Sequence, residues 1–189
     1  MIFALTKRLL SEPLPRVVAT FAWRLGVNGL VAIGKFKRRL KRGRFFPAFL
    51  FLSVTNRCNL RCRGCWVKTG PEEVRLSAAE IGRVISAAKR NGSRFFGLLG
   101  GEPLMHPELF DILARHRDCY FQVFTNGTLM TDEVARQFAR LSNVTPLVSV
   151  EGDEAVSDER RGGRGVHSSA LDALERCRRH GLITGVATS

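Results

Sequence analysis

From residue 49 onward, short apolar runs typical of strands alternate with longer stretches that have helical spacing. Runs of β-favouring residues predict strands, and a capping box at Ser77–Glu80 predicts a helix that continues to about Arg90. This alternation indicates an α/β fold in which right-handed crossovers join parallel strands. The predicted strands are 49–55, 94–99, 120–125, 143–150 and 182–188, and the other predicted helices are 107–116, 131–141 and 167–180.

Residues 1–48 have a different pattern and form a separate segment. Their apolar residues at helical spacing are interrupted by Arg16 and Arg24, which makes a poor candidate for a spanning helix of about 20 residues. Seven basic residues then fall within residues 35–44. Three interpretations remain open: residues 14–44 attach to the anionic inner membrane surface, or form a solvated helix packed on the domain, or, less favoured, bind RNA.

The formal net charge of +13 is concentrated in this N-terminal segment. Residues 1–48 contain 11 Lys/Arg and one acidic residue, whereas residues 49–189 contain 19 Lys/Arg and 16 Asp/Glu. A nearly neutral body argues against nucleic-acid binding, which relies on clustered basic surface. With 189 residues and 44% hydrophobic content, the chain is large enough for one domain with a buried core.

Three cysteines, Cys58, Cys62 and Cys65, follow the first predicted strand. Thiolates favour iron–sulfur clusters, zinc or copper, and structural zinc takes four ligands, whereas no fourth Cys or His lies nearby in the sequence. A four-iron cluster held by three thiolates leaves one iron open; a loop of buried or zinc-binding cysteines is the alternative. We expect the isolated Cys119 and Cys177 at core or helix-face positions. Five cysteines without a secretory signal pattern indicate a reducing, cytoplasmic location, peripheral at the membrane if the N-terminal segment attaches there.

The next three predicted strands end in glycine-rich or polar residues. These ends are Gly100-Gly101-Glu102-Pro103, Thr125-Asn126-Gly127 and Ser149-Val150-Glu151-Gly152. The carboxyl ends of parallel strands form the sites of α/β proteins. Two glycines allow the backbone to approach a ligand closely, and a glutamate accepts hydrogen bonds from an ammonium group. We therefore expect these strand ends to share one site with the three cysteines.

The C-x3-C-x2-C spacing of Cys58, Cys62 and Cys65, together with Gly-Gly-Glu-Pro at 100–103, resembles the radical S-adenosylmethionine (radical SAM) family. The resemblance implies that the three thiolates hold a 4Fe-4S cluster whose open iron binds the amino and carboxylate groups of S-adenosylmethionine. It also implies reductive cleavage of that cofactor to a 5′-deoxyadenosyl radical. An electron donor such as flavodoxin or ferredoxin is expected as a partner.

The resemblance also assigns cofactor-binding roles at the strand ends. The glycines and Glu102 inherit contact with the methionine amino group, whereas Ser149 and Glu151 inherit the carboxylate and ribose contacts. Two positions depart from the family pattern: Gly64 stands where an aromatic residue is usual, and Glu151 stands where aspartate is usual. The full set of expected cofactor-binding residues is Trp66, Gly100, Gly101, Glu102, Pro103, Asn126, Ser149 and Glu151.

The resemblance covers roughly residues 48–189 and is greatest to the branch that modifies peptides and proteins or builds cofactors. The family's barrel has about six strand–helix units, and this sequence contains about 4.5 of them. It therefore predicts a partial (β/α) TIM-type barrel behind a basic helical extension, and a truncated or split enzyme with an unknown substrate. The alternatives are a non-catalytic, membrane-tethered metal-binding remnant and a zinc-containing nucleic-acid binder.

Overall fold

A computed structural model describes residues 12–67 and 72–188, so the first eleven residues of the predicted N-terminal segment lie outside the described part. Helix α1 spans Pro15–Leu40 and has a π-helical portion at Ala22–Val27. The strands are β1 (Phe49–Thr55), β2 (Phe95–Gly100), β3 (Tyr120–Thr125), β4 (Val144–Ser149) and β5 (Gly185–Ala187). The other helices are α2 (Ala78–Arg90), α3 (Leu109–Arg115), α4 (Asp132–Leu141), α5 (Glu154–Arg161) and α6 (Val166–Arg179), with a 3-10 turn at Pro103–Met105.

The five strands form one parallel sheet in the order β1-β2-β3-β4-β5. Each strand pairs with its neighbours in the chain. Every crossover between two strands contains at least one helix. Strands β1 and β5 are the two edges, so the sheet is open. The prediction of a partial (β/α) barrel is confirmed, although β5 is shorter than the predicted strand.

The outer face of the sheet packs against the helices and forms the core. The predicted capping box begins α2: the Glu80 carboxylate accepts a hydrogen bond from the Ser77 backbone N–H at 2.8 Å. Ile81 and Ile85 of this helix are fully buried. Cys119 and Cys177 are also buried, as expected, and burial raises the pKa of each thiol to about 12.

The inner face of the sheet is lined by aromatic rings and remains partly open. Phe51 lies over Gly97, where an added Cβ atom would be 2.1 Å from the ring. The same ring packs edge-on against Phe124, with the ring centroids 5.9 Å apart. Glycine at position 97 is therefore what allows the ring to lie flat across β2.

Helix α1 lies across the amino end of the sheet. The Leu14 backbone N–H donates to the Gly181 carbonyl at 2.9 Å, Val17 is fully buried, and the Phe21 ring meets the Tyr120 ring at 5.8 Å. By length and composition α1 is long and apolar enough to cross a membrane, with a mean hydropathy of 1.5 over its best window. This differs from the sequence prediction of a poor spanning candidate, although core helices and signal sequences meet the same criteria.

Candidate functional site

The three cysteines lie in the loop that follows β1, at the carboxyl end of the sheet. We call residues 56–74 the cysteine loop. Its base is closed by Asn56, whose side chain donates to the Glu72 carbonyl at 2.9 Å and accepts from the Val74 N–H at 2.8 Å. Cys58 and Cys62 are half-buried, whereas Cys65 is exposed. The closed base fixes where the loop leaves the sheet.

All three thiols line one cavity of about 430 Å³ at this end of the sheet. Its walls also include Arg160 and Arg161 of α5 and Thr188 after β5. The cavity therefore brings together the three cysteines and most of the residues expected to bind the cofactor. The expected residues that line it are Trp66, Gly100, Gly101, Asn126, Ser149 and Glu151.

The chemistry of these donors suits a cluster held by three thiolates. Among the residues that the structure describes, no group of three Cys, His, Asp or Glu side chains is gathered closely enough to hold a metal ion as it stands. Burial raises the pKa of Cys58, and the Leu60 N–H, 3.4 Å from its sulfur, opposes that rise. The thiols fit such a cluster because all three line one cavity.

The two glycines at the end of β2 allow close contact with the start of the cysteine loop. The Gly101 N–H donates to the Thr55 carbonyl at 2.7 Å, and the next N–H donates to the Arg57 carbonyl at 2.8 Å. An added Cβ atom would lie 2.3 Å from the Thr55 oxygen at Gly100, and 2.2 Å from the Arg57 oxygen at Gly101. Both glycines approach the backbone of Thr55 and Arg57 closely, and their contact with a ligand stays a prediction.

The Glu102 side chain is held by backbone groups at the ends of β2 and β3. It is fully buried, and its carboxylate accepts hydrogen bonds from the Leu104 N–H at 3.0 Å and the Asn126 N–H at 2.8 Å. Burial raises the pKa of this carboxyl group, although both N–H donors act in the opposite direction. The side chain ties the ends of β2 and β3 together and does not line the cavity, and its contact with the methionine amino group stays a prediction. The buried Pro103 begins the 3-10 turn beside it.

A chain of amide and hydroxyl groups holds the cysteine loop against the end of β3. The Asn126 side chain donates to the Asn59 side-chain oxygen at 2.9 Å, and Asn59 in turn donates to the Thr128 hydroxyl at 2.7 Å. The Thr128 N–H donates to the Asn126 side-chain oxygen at 2.9 Å. Asn126 lines the cavity as expected, but its side chain is used mainly to position the loop.

Glu151 is buried and bound by two arginines that the sequence analysis did not identify. Its carboxylate lies 2.7 Å from Arg160 and 2.8 Å from Arg161. Both arginines belong to α5, a short polar helix that we also failed to predict. Its signals were present in the sequence: the Asp153 side chain accepts from the backbone at the N-cap, and Gly162 ends the helix with a φ of 69°.

A profile of the Radical SAM superfamily matches residues 52–189. The chain belongs to this superfamily. Among its relatives, Fe-coproporphyrin III synthase of Methanosarcina barkeri is 30% identical over 138 residues, which cover 71% of this chain and 35% of the relative. Mycofactocin maturase MftC of Mycolicibacterium smegmatis is 28% identical over 148 residues, which cover 76% of this chain and 37% of the relative. Relatives named as synthases and maturases place this radical SAM chain in a family of enzymes.

Solved structures show the same fold. Streptococcus suis SuiB bound to S-adenosylmethionine has a TM-score of 0.68 and 21% identity, and the match covers 83% of this chain and 38% of SuiB. SuiB bound to its precursor peptide SuiA gives the same TM-score at 20% identity, covering 83% of this chain and 36% of SuiB. This radical SAM chain thus spans little more than a third of the length of these relatives.

Proposed function

We propose that this chain forms the cofactor-binding part of a radical SAM enzyme. The observation that supports the proposal is the single cavity shared by three thiols, the glycine-rich end of β2, Ser149 and two arginines. In this proposal, Cys58, Cys62 and Cys65 hold a 4Fe-4S cluster as thiolates. The cluster, when bound, supplies the electron that cleaves S-adenosylmethionine into methionine and a 5′-deoxyadenosyl radical.

The chain's own groups would then bind and orient the cofactor. Backbone carbonyls at the end of β2 are acceptors of the kind that a methionine ammonium group requires. The Ser149 hydroxyl and the guanidinium groups of Arg160 and Arg161 suit a carboxylate, because arginine donates charge-assisted hydrogen bonds. The exposed Trp66 offers an aromatic face for an adenine ring.

We further propose that the substrate is a peptide or a cofactor precursor. The names of the relatives support both classes, and SuiB has been seen with a precursor peptide. A small electron-transfer protein of the flavodoxin or ferredoxin type would reduce the cluster in a cytoplasmic setting.

Anaerobic reconstitution with iron and sulfide tests the proposal. We expect four irons and a visible iron–sulfur absorption band per chain, both lost in Cys62→Ala. Cys119→Ala is the matched control: its thiol is buried away from the cavity, so iron content should be unchanged. Dithionite and S-adenosylmethionine should then yield 5′-deoxyadenosine. Stoichiometric zinc without iron–sulfur absorption would contradict the proposal.

A further inference from the structure

Helix α1 exposes an apolar surface that no part of the described domain covers. Five large side chains are exposed within eleven residues, with exposed fractions from 45% for Val27 to 72% for Leu30. We call Trp23, Val27, Leu30, Val31 and Ile33 the outer stripe. Contiguous exposed apolar side chains of this kind mark a binding surface in a soluble protein.

The charged side chains of helix α1 are all of one sign. Residues 13–48 contain no Asp or Glu, and seven Lys/Arg fall within residues 35–44. Lys37, Arg38 and Lys41 are exposed. Within the part of the chain that the structure describes, no ion pair joins these three to a carboxylate, so their charge is available to an anionic partner.

An apolar cleft of about 440 Å³ adds a second indication of the partner's chemistry. It lies between α1 and the amino ends of β1 and β2, and its walls include Leu25, Ile33, Phe49 and Phe95. Arg24 lies beside these apolar walls. A hydrocarbon chain that ends in an anionic group matches this combination.

The contacts of α1 show how it would meet a lipid surface. The helix is about 39 Å long at 1.5 Å per residue. Leu14 at its start contacts Gly181, and near its other end Lys35 lies beside Gly92, where an added Cβ atom would be 3.2 Å from the Lys35 side chain. Because both ends contact the same domain, the helix lies along the domain and cannot run through a bilayer while the domain stays outside.

We propose that α1 binds flat on the surface of a bilayer rich in anionic phospholipid. The outer stripe enters the boundary between head groups and acyl chains, and the cations of residues 35–44 contact the phosphates. The cysteine loop is at the opposite end of the sheet, so it faces away from the membrane. This inference does not depend on the proposed radical chemistry.

Co-sedimentation with vesicles tests the proposal, using phosphatidylcholine alone and phosphatidylcholine mixed with phosphatidylglycerol. We expect binding only to the anionic vesicles, weakened by salt. Removing two charges in Arg38→Ala/Lys41→Ala should weaken binding about 30-fold, since each cation near the surface contributes about fivefold. Leu30→Ser should weaken it about tenfold through lost apolar burial.

Two control variants match these changes on other helices. Arg115→Ala removes an exposed cation and Leu171→Ser an exposed leucine, and both should bind like the parent chain. In a Trp66→Phe background, Trp23 fluorescence should shift to the blue on binding, which reports burial of the stripe itself. All substituted side chains are exposed, so unfolding midpoints should be unchanged.

Several results would overturn the proposal. Equal binding to neutral and anionic vesicles, or binding to neither, contradicts the charge argument. Release from anionic vesicles only by detergent, and not by salt or alkaline carbonate, indicates a spanning helix. A dimer in solution that Leu30→Ser dissociates, without any vesicle binding, indicates that a second copy covers the stripe.

Discussion

The two ends of the parallel sheet are closed by different kinds of interaction. At the carboxyl end, buried carboxylates, glycine contacts and side-chain amides fix the cysteine loop, through Glu102, Gly101 and Asn126. At the amino end, α1 packs through apolar side chains such as Val17 and Phe21. The polar end has directional contacts that position a site, whereas the apolar end contributes stability and a surface. Changes at the two ends should therefore have separable effects.

Gly101→Ala should give the largest change in stability. The new Cβ atom would lie 2.2 Å from the Arg57 carbonyl oxygen, so strand β2 or the cysteine loop must shift. We expect a loss of about 3 kcal/mol in the free energy of unfolding, measured by denaturant titration. The matched change in α1 is Gly34→Ala, where the new Cβ atom would have no other atom within 4 Å. This variant should raise the free energy of unfolding by about 1 kcal/mol. If both variants changed the free energy of unfolding in the same direction, the contrast between the two ends of the sheet would be contradicted.

Glu102→Gln should have the next largest effect. One carboxylate oxygen is replaced by an NH₂ group, which must face one of the two backbone N–H donors, from Leu104 or Asn126. The lost hydrogen bond and the buried unpaired donor should lower the free energy of unfolding by about 2 kcal/mol. Glu133→Gln on exposed α4 is the control and should leave the unfolding midpoint nearly unchanged.

The pH dependence of this variant sharpens the prediction. Burial raises the pKa of Glu102 in the folded state above its unfolded value. The native state therefore favours the protonated group, and its contribution to stability declines as pH rises through the folded-state pKa. The stability gap between the parent chain and Glu102→Gln should narrow as pH rises above the ordinary glutamate pKa of 4.5. A gap that widens over this range would mean that the folded-state pKa is lowered.

Tyr120→Phe tests the amino end of the sheet. The buried Tyr120 hydroxyl lies 2.6 Å from the Thr145 hydroxyl, and burial raises its pKa to about 12. Removing the Tyr120 hydroxyl leaves Thr145 without this partner and should lower the free energy of unfolding by about 1 kcal/mol. Iron content after reconstitution should equal that of the parent chain. Lost iron at unchanged stability would show that the two ends are not separable.

Arg63→Ala should have the smallest effect. Its side chain lies 3.5 Å from Glu159, but both groups are largely exposed, and such pairs contribute little. The cysteine loop is held to α5 instead by the Arg63 backbone N–H, which donates to the Arg160 carbonyl at 2.7 Å. We expect no measurable change in unfolding midpoint or iron content. A clear loss of stability would mean that the side chain carries the link.

The sequence was sufficient to predict the sheet and the position of the cysteines. The strands β1 to β4 are apolar runs, mostly buried in β2 to β4, and such runs have a strong local signal. Helix α5 was missed because six of its eight residues are polar, so no apolar stripe indicated a helix. Its buried contacts are ion pairs from Arg161 to Glu151, which depend on residues brought together by the fold.

Motif spacing identified the residues of the site better than it identified what their side chains contact. Gly101 and Glu102 lie at the predicted strand end, yet their close contacts are with the cysteine loop and with β3. No local signal distinguishes a glutamate that faces a ligand from one that accepts two backbone N–H groups. That difference depends on how β2 and β3 end beside each other, which is a property of the packed sheet.

The hydrogen bond between Leu14 and Gly181 joins the start of α1 to the turn before β5. A ribosome makes α1 before it makes the turn that receives it, because Gly181 follows Leu14 by 167 positions in the chain. At 5–20 residues per second, this interval lasts on the order of ten seconds. Val17 and Phe21, which the finished fold covers, are exposed throughout that time. The nascent helix is therefore apolar on both sides while translation continues, and it needs protection before the domain can provide it.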